Sequence, residues 1–256
     1  MTFHLGGFGE TIDLAGAFGN LAALQDSRLF TEGDNLRVPE LNQVFCVAAG
    51  IGSGGNGRVR LDSPTLDAGV RPEILPVNGL ADGDAEPSNP KATVDLFRSP
   101  MLLSPDENLT VQADSNTSAA AFQWCLLWFS DGAPTPISGA DIMTVRGTNT
   151  DTLTVDQWTQ GNLTLDEALP PGNYGVVGMR AQSAGLVAAR IVFRTGSQYR
   201  PGVLGSDTAG DLDQNGMRGG DIGLWGTFPF TQTPAIEFLS VSADSSQVVL
   251  LDLIEV

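Results

Sequence analysis

Ala121-Phe122-Gln123-Trp124-Cys125-Leu126-Leu127-Trp128-Phe129 is the stretch on which the fold turns. One polar residue in nine, with aromatic and aliphatic neighbours, reads as a β-strand. Successive side chains of a strand point to opposite faces. Here both faces are apolar, so the strand belongs in the middle of a sheet that is covered on each side. Trp124 and Trp128 share a face and are read as core, not as a platform for stacking sugars. The run is far too short to be a membrane-spanning helix.

Outward from this strand the chain repeats a β pattern. Val44–Ala49, Arg58–Leu61, Ala92–Phe97, Leu109–Ala113, Ile142–Val145, Thr152–Val155, Leu163–Leu165, Tyr174–Arg180, Leu186–Phe193, Ala235–Val241 and Gln247–Ile254 are short and apolar or alternating. Gly, Pro, Asn and Asp separate them, as in the turn Pro170-Pro171-Gly172-Asn173 and the polar loop Gly79–Pro90. The Gln182–Gly185 connection predicts a hairpin, and the last two strands a closing pair. Strands at this spacing with almost no helix predict an all-β antiparallel β-sandwich or barrel, and no fixed-period repeat points to a propeller or solenoid. The core is expected to include Phe45, Val47, Phe122, Trp124, Leu126, Trp128, Val177, Val187, Ile191, Phe193, Val249 and Leu251.

Two segments depart from the strand pattern. Ile12, Leu14, Phe18, Leu21 and Leu24 make an imperfect helical stripe, interrupted by Gly16 and Gly19, which predicts a short N-terminal helix or arm within residues 1–37. Residues 38–256 are then one sandwich domain. Within it, residues 196–234 form a long glycine-rich loop carrying Trp225, Phe228 and Phe230. Such a loop is costly to order alone, so it and at least one terminus are expected to bury surface against neighbouring copies or partner proteins, with the Trp225 cluster folding back on its own sandwich as a comparable option. Arg200 and Arg218 are the candidate partners for carboxylates there.

Charge narrows the function. The 256 residues carry 30 Asp and Glu against 13 Lys and Arg, a net charge of −17. A chain this acidic is a poor match for phosphate, so no direct nucleic-acid partner is expected. One histidine, His4, leaves no material for His-rich metal sites or for most imidazole-dependent triads. Cys46 and Cys125 both sit in apolar runs and read as buried thiols, with a Cys46–Cys125 bridge open as an alternative. The start, Met1-Thr2-Phe3-His4-Leu5-Gly6, has neither a basic segment nor an apolar one, so no signal peptide is expected.

The motifs that hint at chemistry are incomplete. Gly52-Ser53-Gly54-Gly55-Asn56-Gly57 has dinucleotide-loop spacing, but the strand Arg58–Leu61 follows where a helix N-terminus would be required. Asp211-Leu212-Asp213-Gln214-Asn215-Gly216 begins like a calcium loop, yet Ile222 stands where the closing acid belongs and Asp221 falls one place early. Whether Asp211, Asp213, Asn215 and Asp221 bind calcium stays open, and an Asx-rich turn is the preferred reading. There is no G-x-S-x-G elbow, and the glutamates are scattered. No catalytic, cofactor-binding or metal residue is assigned, and no enzyme activity or cofactor is expected.

Asn35-Leu36-Arg37-Val38-Pro39, Leu61-Asp62-Ser63-Pro64-Thr65-Leu66, Pro171–Gly178 and Arg200-Pro201-Gly202 fall in a strand-loop order. That order resembles jelly-roll major capsid proteins of tailless icosahedral viruses, particularly the membrane-containing viruses of bacteria and archaea. The resemblance implies a jelly roll without an active site, tiling through its sides and loops into a virion shell. It implies as partners further copies of the chain and other coat proteins, with an internal membrane beneath. The absence of a basic arm departs from coat proteins that package nucleic acid directly. The alternative is a sandwich module for carbohydrate binding, calcium-dependent adhesion or a surface filament.

Overall fold

The computed structural model describes residues 1–13, 16–51, 56–67, 73–78, 92–115, 120–195, 198–206, 216–217 and 220–256. The chain divides into two compact units, one of Leu5–Ala133 and one of Met1–His4 with Pro134–Val256. The division therefore falls near Pro134, not at residue 37. Each half is about the size at which a chain can bury its own core.

Eight principal strands build the first unit: β1 (Phe3–Ile12), β2 (Asn35–Arg37), β3 (Gln43–Ile51), β4 (Asn56–Asp62), β5 (Glu73–Asn78), β6 (Ala92–Asp95), β7 (Asn108–Ser115) and β8 (Ala121–Ser130). One sheet has the order β1-β8-β3-β6 and the other β2-β7-β4-β5. Eight more strands build the second: β9 (Met143–Asn149), β10 (Trp158–Asn162), β11 (Asn173–Gln182), β12 (Leu186–Val192), β13 (Gly202–Leu204), β14 (Gly226–Pro229), β15 (Ala235–Ser240) and β16 (Gln247–Glu255). Its sheets run β9-β16-β11-β14 and β10-β15-β12-β13. Counted from one to eight within each unit, both give 1-8-3-6 facing 2-7-4-5. That is the double Greek key of a jelly roll. The chain is two jelly rolls in tandem.

The topology corrects four expectations. Consecutive strands β11 and β12 lie in different sheets, as do β15 and β16, so neither pair is a hairpin. In a jelly roll such neighbours cross from one sheet to the other. The 196–234 segment is not a plain loop, because β13 and β14 inside it are the two strands that complete the second roll. Thr152–Val155 is irregular, apart from a single bridge from Val155 to Ser240.

The helix predicted over about Glu10–Leu24 is not formed at its start, where Glu10–Ile12 are the end of β1. Gly7 and Gly9 earlier in the strand suit its place beside β8. A Cβ on Gly7 would lie 2.4 Å from the Cys125 carbonyl oxygen, and one on Gly9 would lie 2.6 Å from the Phe122 ring. The edge of β1 is not bare: Gly9 N–H donates to Ala22 O and Leu24 N–H to Gly7 O, so residues 22–24 cover it. Leu21 and Leu24 of the supposed helical stripe are buried by this route, and Phe18 lies under the guanidiniums of Arg58 and Arg60.

All ten residues of β8 are buried, as its two apolar faces require. It pairs antiparallel with β3 from Gln123–Ile51 to Ser130–Gln43, with a bulge after Trp128. Every residue of the expected core is buried, Trp124 and Trp128 included. Entry into β11 is fixed by the Pro170–Asn173 turn and by Tyr174, whose hydroxyl donates to the Pro170 carbonyl at 2.8 Å. This tyrosine corner ties a strand start to the turn before it.

Candidate functional site

The second roll carries most of the residues singled out by sequence. Trp225 does not project outward. It is 4% exposed, packs edge-on against Phe3 with centroids 5.2 Å apart, and hangs from β11 by its N–H to Val176 O. Phe228 is buried beside Tyr174 at 6.0 Å. Of the two options for this cluster, folding back on its own roll or docking on a neighbour, both rings take the first. β14 is a core strand, and its aromatics fill the roll that it closes.

What remains outside is a smaller set flanking them. Phe230 is 41% exposed, Leu224 39% and Val256 55%. Leu224, Ile254 and Val256 converge on Gly175, where an added Cβ would sit 2.5 Å from Leu224 Cδ1. The segment after β13 and the end of β16 therefore meet over a glycine that leaves room for them.

Arg200 also turns inward. Its Nη1 lies 2.5 and 2.7 Å from the two carboxylate oxygens of Glu237, while Arg190 Nε reaches Glu237 Oε2 at 2.6 Å. Arg190 and Glu237 are register partners across β12 and β15. Arg190 is fully buried and its guanidinium lies 4.1 Å above the Trp158 ring. Two cations share one carboxylate in a low-dielectric interior, which needs close geometry to offset desolvation. The Arg200 backbone N–H donates to His4 Nδ1 at 3.1 Å, and His4 is fully buried. Arg200 is therefore an internal tie and not an intersubunit one. Arg218 lies outside the described residues.

Sequence reasoning missed this cluster. Its signal was a lone arginine in Leu186–Val192 and a lone glutamate in Ala235–Ser240, two otherwise nearly apolar strands. One charge in a buried strand asks for its opposite on the next.

Cys46 and Cys125 are both free and buried. Burial, with a smaller contribution from Asp95, pushes the Cys46 thiol up to about 12, and burial alone pushes Cys125 higher still. Neither is a nucleophile near neutral pH. Among the described residues no three His, Cys, Asp or Glu side chains gather to hold a metal. Asp211, Asp213 and Asn215 lie outside the described residues, as do Gly52–Gly55 of the glycine-rich motif; Asp221 is exposed. Asp244, after β15, accepts from Ser183 Oγ and from the N–H groups of Ala184 and Ser245. Partial burial pushes its carboxyl upward, but these hydrogen bonds outweigh it and hold the group below the usual value. Among the described residues no helix is long and apolar enough to cross a membrane.

No family model and no curated protein matches the chain. Among solved structures it is similar to the major capsid protein P2 from Bacteriophage PM2, at 11% identity over 94% of this chain and 97% of that one, with a TM-score of 0.23. It is also similar to the PBSX exported protein XepA, at 11% identity over 95% and 88% of the two chains, with a TM-score of 0.24. Superposition this loose assigns no function.

Proposed function

We propose that the chain is a structural protein that assembles with copies of itself into a viral shell, located in the virion and carrying no enzymatic activity. The observation that carries this reading is the tandem topology: two eight-stranded jelly rolls with the same strand order in one chain. Jelly rolls serve capsids, lectins and cupins alike, and function has to be argued from the site. A cupin-like role calls for a metal-binding histidine set, which one histidine cannot supply. A lectin role calls for an open aromatic platform, and Trp124, Trp128 and Trp225 are spent on the core. Solvent-facing apolar residues at Leu224, Phe230 and Val256 offer contact surface instead.

Other coat proteins, and a membrane beneath the shell, are further partners in this proposal. Direct nucleic-acid contact is not, given the charge of −17. The test is the mass of the purified chain by light scattering as concentration rises, alongside glycan-array binding. Concentration-dependent oligomers without glycan binding support the shell reading. A monomer at all concentrations that binds glycans selects the carbohydrate-binding alternative.

A further inference from the structure

We propose that Arg60 is a carboxylate receptor on the outer face of the first roll, and that its occupant is an acidic side chain of a second copy of the chain. The proposal rests on the self-association of the shell reading and adds a place where copies meet. Val59, Leu61, Val111 and Ala113 are buried, so the alternate residues Arg58, Arg60, Gln112 and Asp114 of β4 and β7 stand on the opposite face of their sheet. Both guanidiniums lie over the Phe18 ring, at 4.7 and 4.1 Å from its centroid. Arg58 is paired within the chain, its Nη2 and Nε donating to Asp114 Oδ2 at 2.6 and 3.2 Å. Arg60 is not. Its Nε donates to Gln112 Oε1 at 2.6 Å, and among the described residues no carboxylate pairs with it.

The half-buried Arg60 side chain is held in place. Gln112 presents Oε1 to it because its own Nε2 donates to Asn20 Oδ1 at 2.9 Å, and Asn20 donates in turn to Asp34. With Nε committed to Gln112 and Phe18 beneath the guanidinium, the Nη1–Nη2 fork keeps its N–H donors for an acceptor outside the chain. A carboxylate matches that fork with parallel hydrogen bonds. A guanidinium already fixed loses little rotamer freedom when it binds.

The chain itself is the acid-rich partner. With 30 Asp and Glu against 13 Lys and Arg, copies repel one another, and a contact between them needs guanidiniums that are not paired internally. In the second roll Arg146, Arg180, Arg190 and Arg200 each meet a carboxylate of their own chain. Arg60 is left over, on an open sheet face and beside an aromatic ring, the pairing that interface anchors favour.

Sedimentation velocity of the full chain at moderate salt tests it. Arg60→Gln should lower the association constant about tenfold or more, as loss of an interface anchor does. Arg28→Gln, the same charge change at an exposed position, should leave it nearly unaltered. Arg60→Lys keeps the charge without the fork, in a chain whose one lysine is Lys91. At concentrations where that variant associates, carbodiimide should join the new amine to a carboxylate of another copy as an amide, the carbodiimide leaving as its urea. Peptide mapping of the cross-linked dimer then identifies the acid. Glu73, the register partner of Arg60 on β5, is the internal alternative, and an amide formed only within one chain overturns the proposal. Association that Arg60→Gln and Arg28→Gln leave equally strong overturns it too, with the shell reading intact. A chain that never associates overturns both.

Discussion

Arg190 and Glu237 face each other across β12 and β15, Nε to Oε2 at 2.6 Å, with the arginine fully buried. Arg200 joins the same carboxylate from the segment that leads into β13. Removing the anion takes from two buried cations the carboxylate they share. Glu237→Gln should therefore lower unfolding free energy by about 3–5 kcal/mol, read from urea denaturation. Replacing all three at once, as Arg190→Met, Glu237→Leu and Arg200→Met, should cost far less than Glu237→Gln alone. Equal losses for the two variants would show that the charges are not coupled.

The tyrosine corner is a smaller and cleaner test. Tyr174→Phe removes one hydroxyl from Pro170 O and leaves the ring against Phe228. A loss of about 1 kcal/mol is expected, seen as a lower Tm without a change in cooperativity.

Gly7→Ala examines why the first strand is glycine-rich. The new Cβ meets the Cys125 carbonyl oxygen, a backbone atom that cannot swing aside. Destabilisation of about 1–3 kcal/mol should follow, as for overpacked cores. Unaltered stability in the Gly7→Ala variant would mean that β1 lies farther from β8.

Asp244 sets a pH dependence at the acid end. Its folded carboxyl is held below the unfolded value by Ser183, Ala184 and Ser245. The sign follows: the stability it contributes is full above the unfolded carboxylate range, about 3.9, and is lost as pH falls through the folded value. Asp244→Asn should be less stable than the unaltered chain at neutral pH, and the two Tm curves should converge below about pH 4. Parallel curves down to the lowest pH would contradict this.

These positions show where sequence is informative. Ala121–Phe129 announces a central strand because a run apolar on both faces, with Gln123 its one polar residue, has one comfortable place in an all-β chain, and all twelve expected core residues are buried. The doubling of the roll was not legible. Adjacent strands such as β11 and β12 look alike whether they pair in one sheet or cross between two, since periodicity records faces and not partners. The N-terminal stripe misled because Leu21 and Leu24 are buried by covering the edge of β1, a contact that leaves helix-like spacing by coincidence. Trp225 and Phe228 could be placed by sequence on either their own sandwich or a neighbour, because nothing in a glycine-rich stretch says that Gly226–Pro229 is itself a strand. His4 and Arg200 are brought together from opposite parts of the chain, a closeness no local pattern encodes.

Because Gly226–Pro229 is a strand and Trp225 is core, removing that segment would unfold the second roll and could not report on assembly. Point changes at exposed positions can. Leu224→Ser and Phe230→Ser alter side chains that are 39% and 41% exposed, so Tm should hold within a few degrees. Any self-association that uses this face should fall about tenfold or more in its constant, the effect of losing roughly 1.4 kcal/mol of apolar contact. Unchanged association would place the contact elsewhere on the chain.

Self-assembly is read from sedimentation velocity of the unaltered chain at low and moderate salt. At −17 per chain, copies repel one another until salt screens them. The shell reading predicts a monomer at low ionic strength and discrete larger species at moderate salt, growing with protein concentration and visible as regular particles by electron microscopy. A single monomeric boundary at every salt and concentration would contradict it.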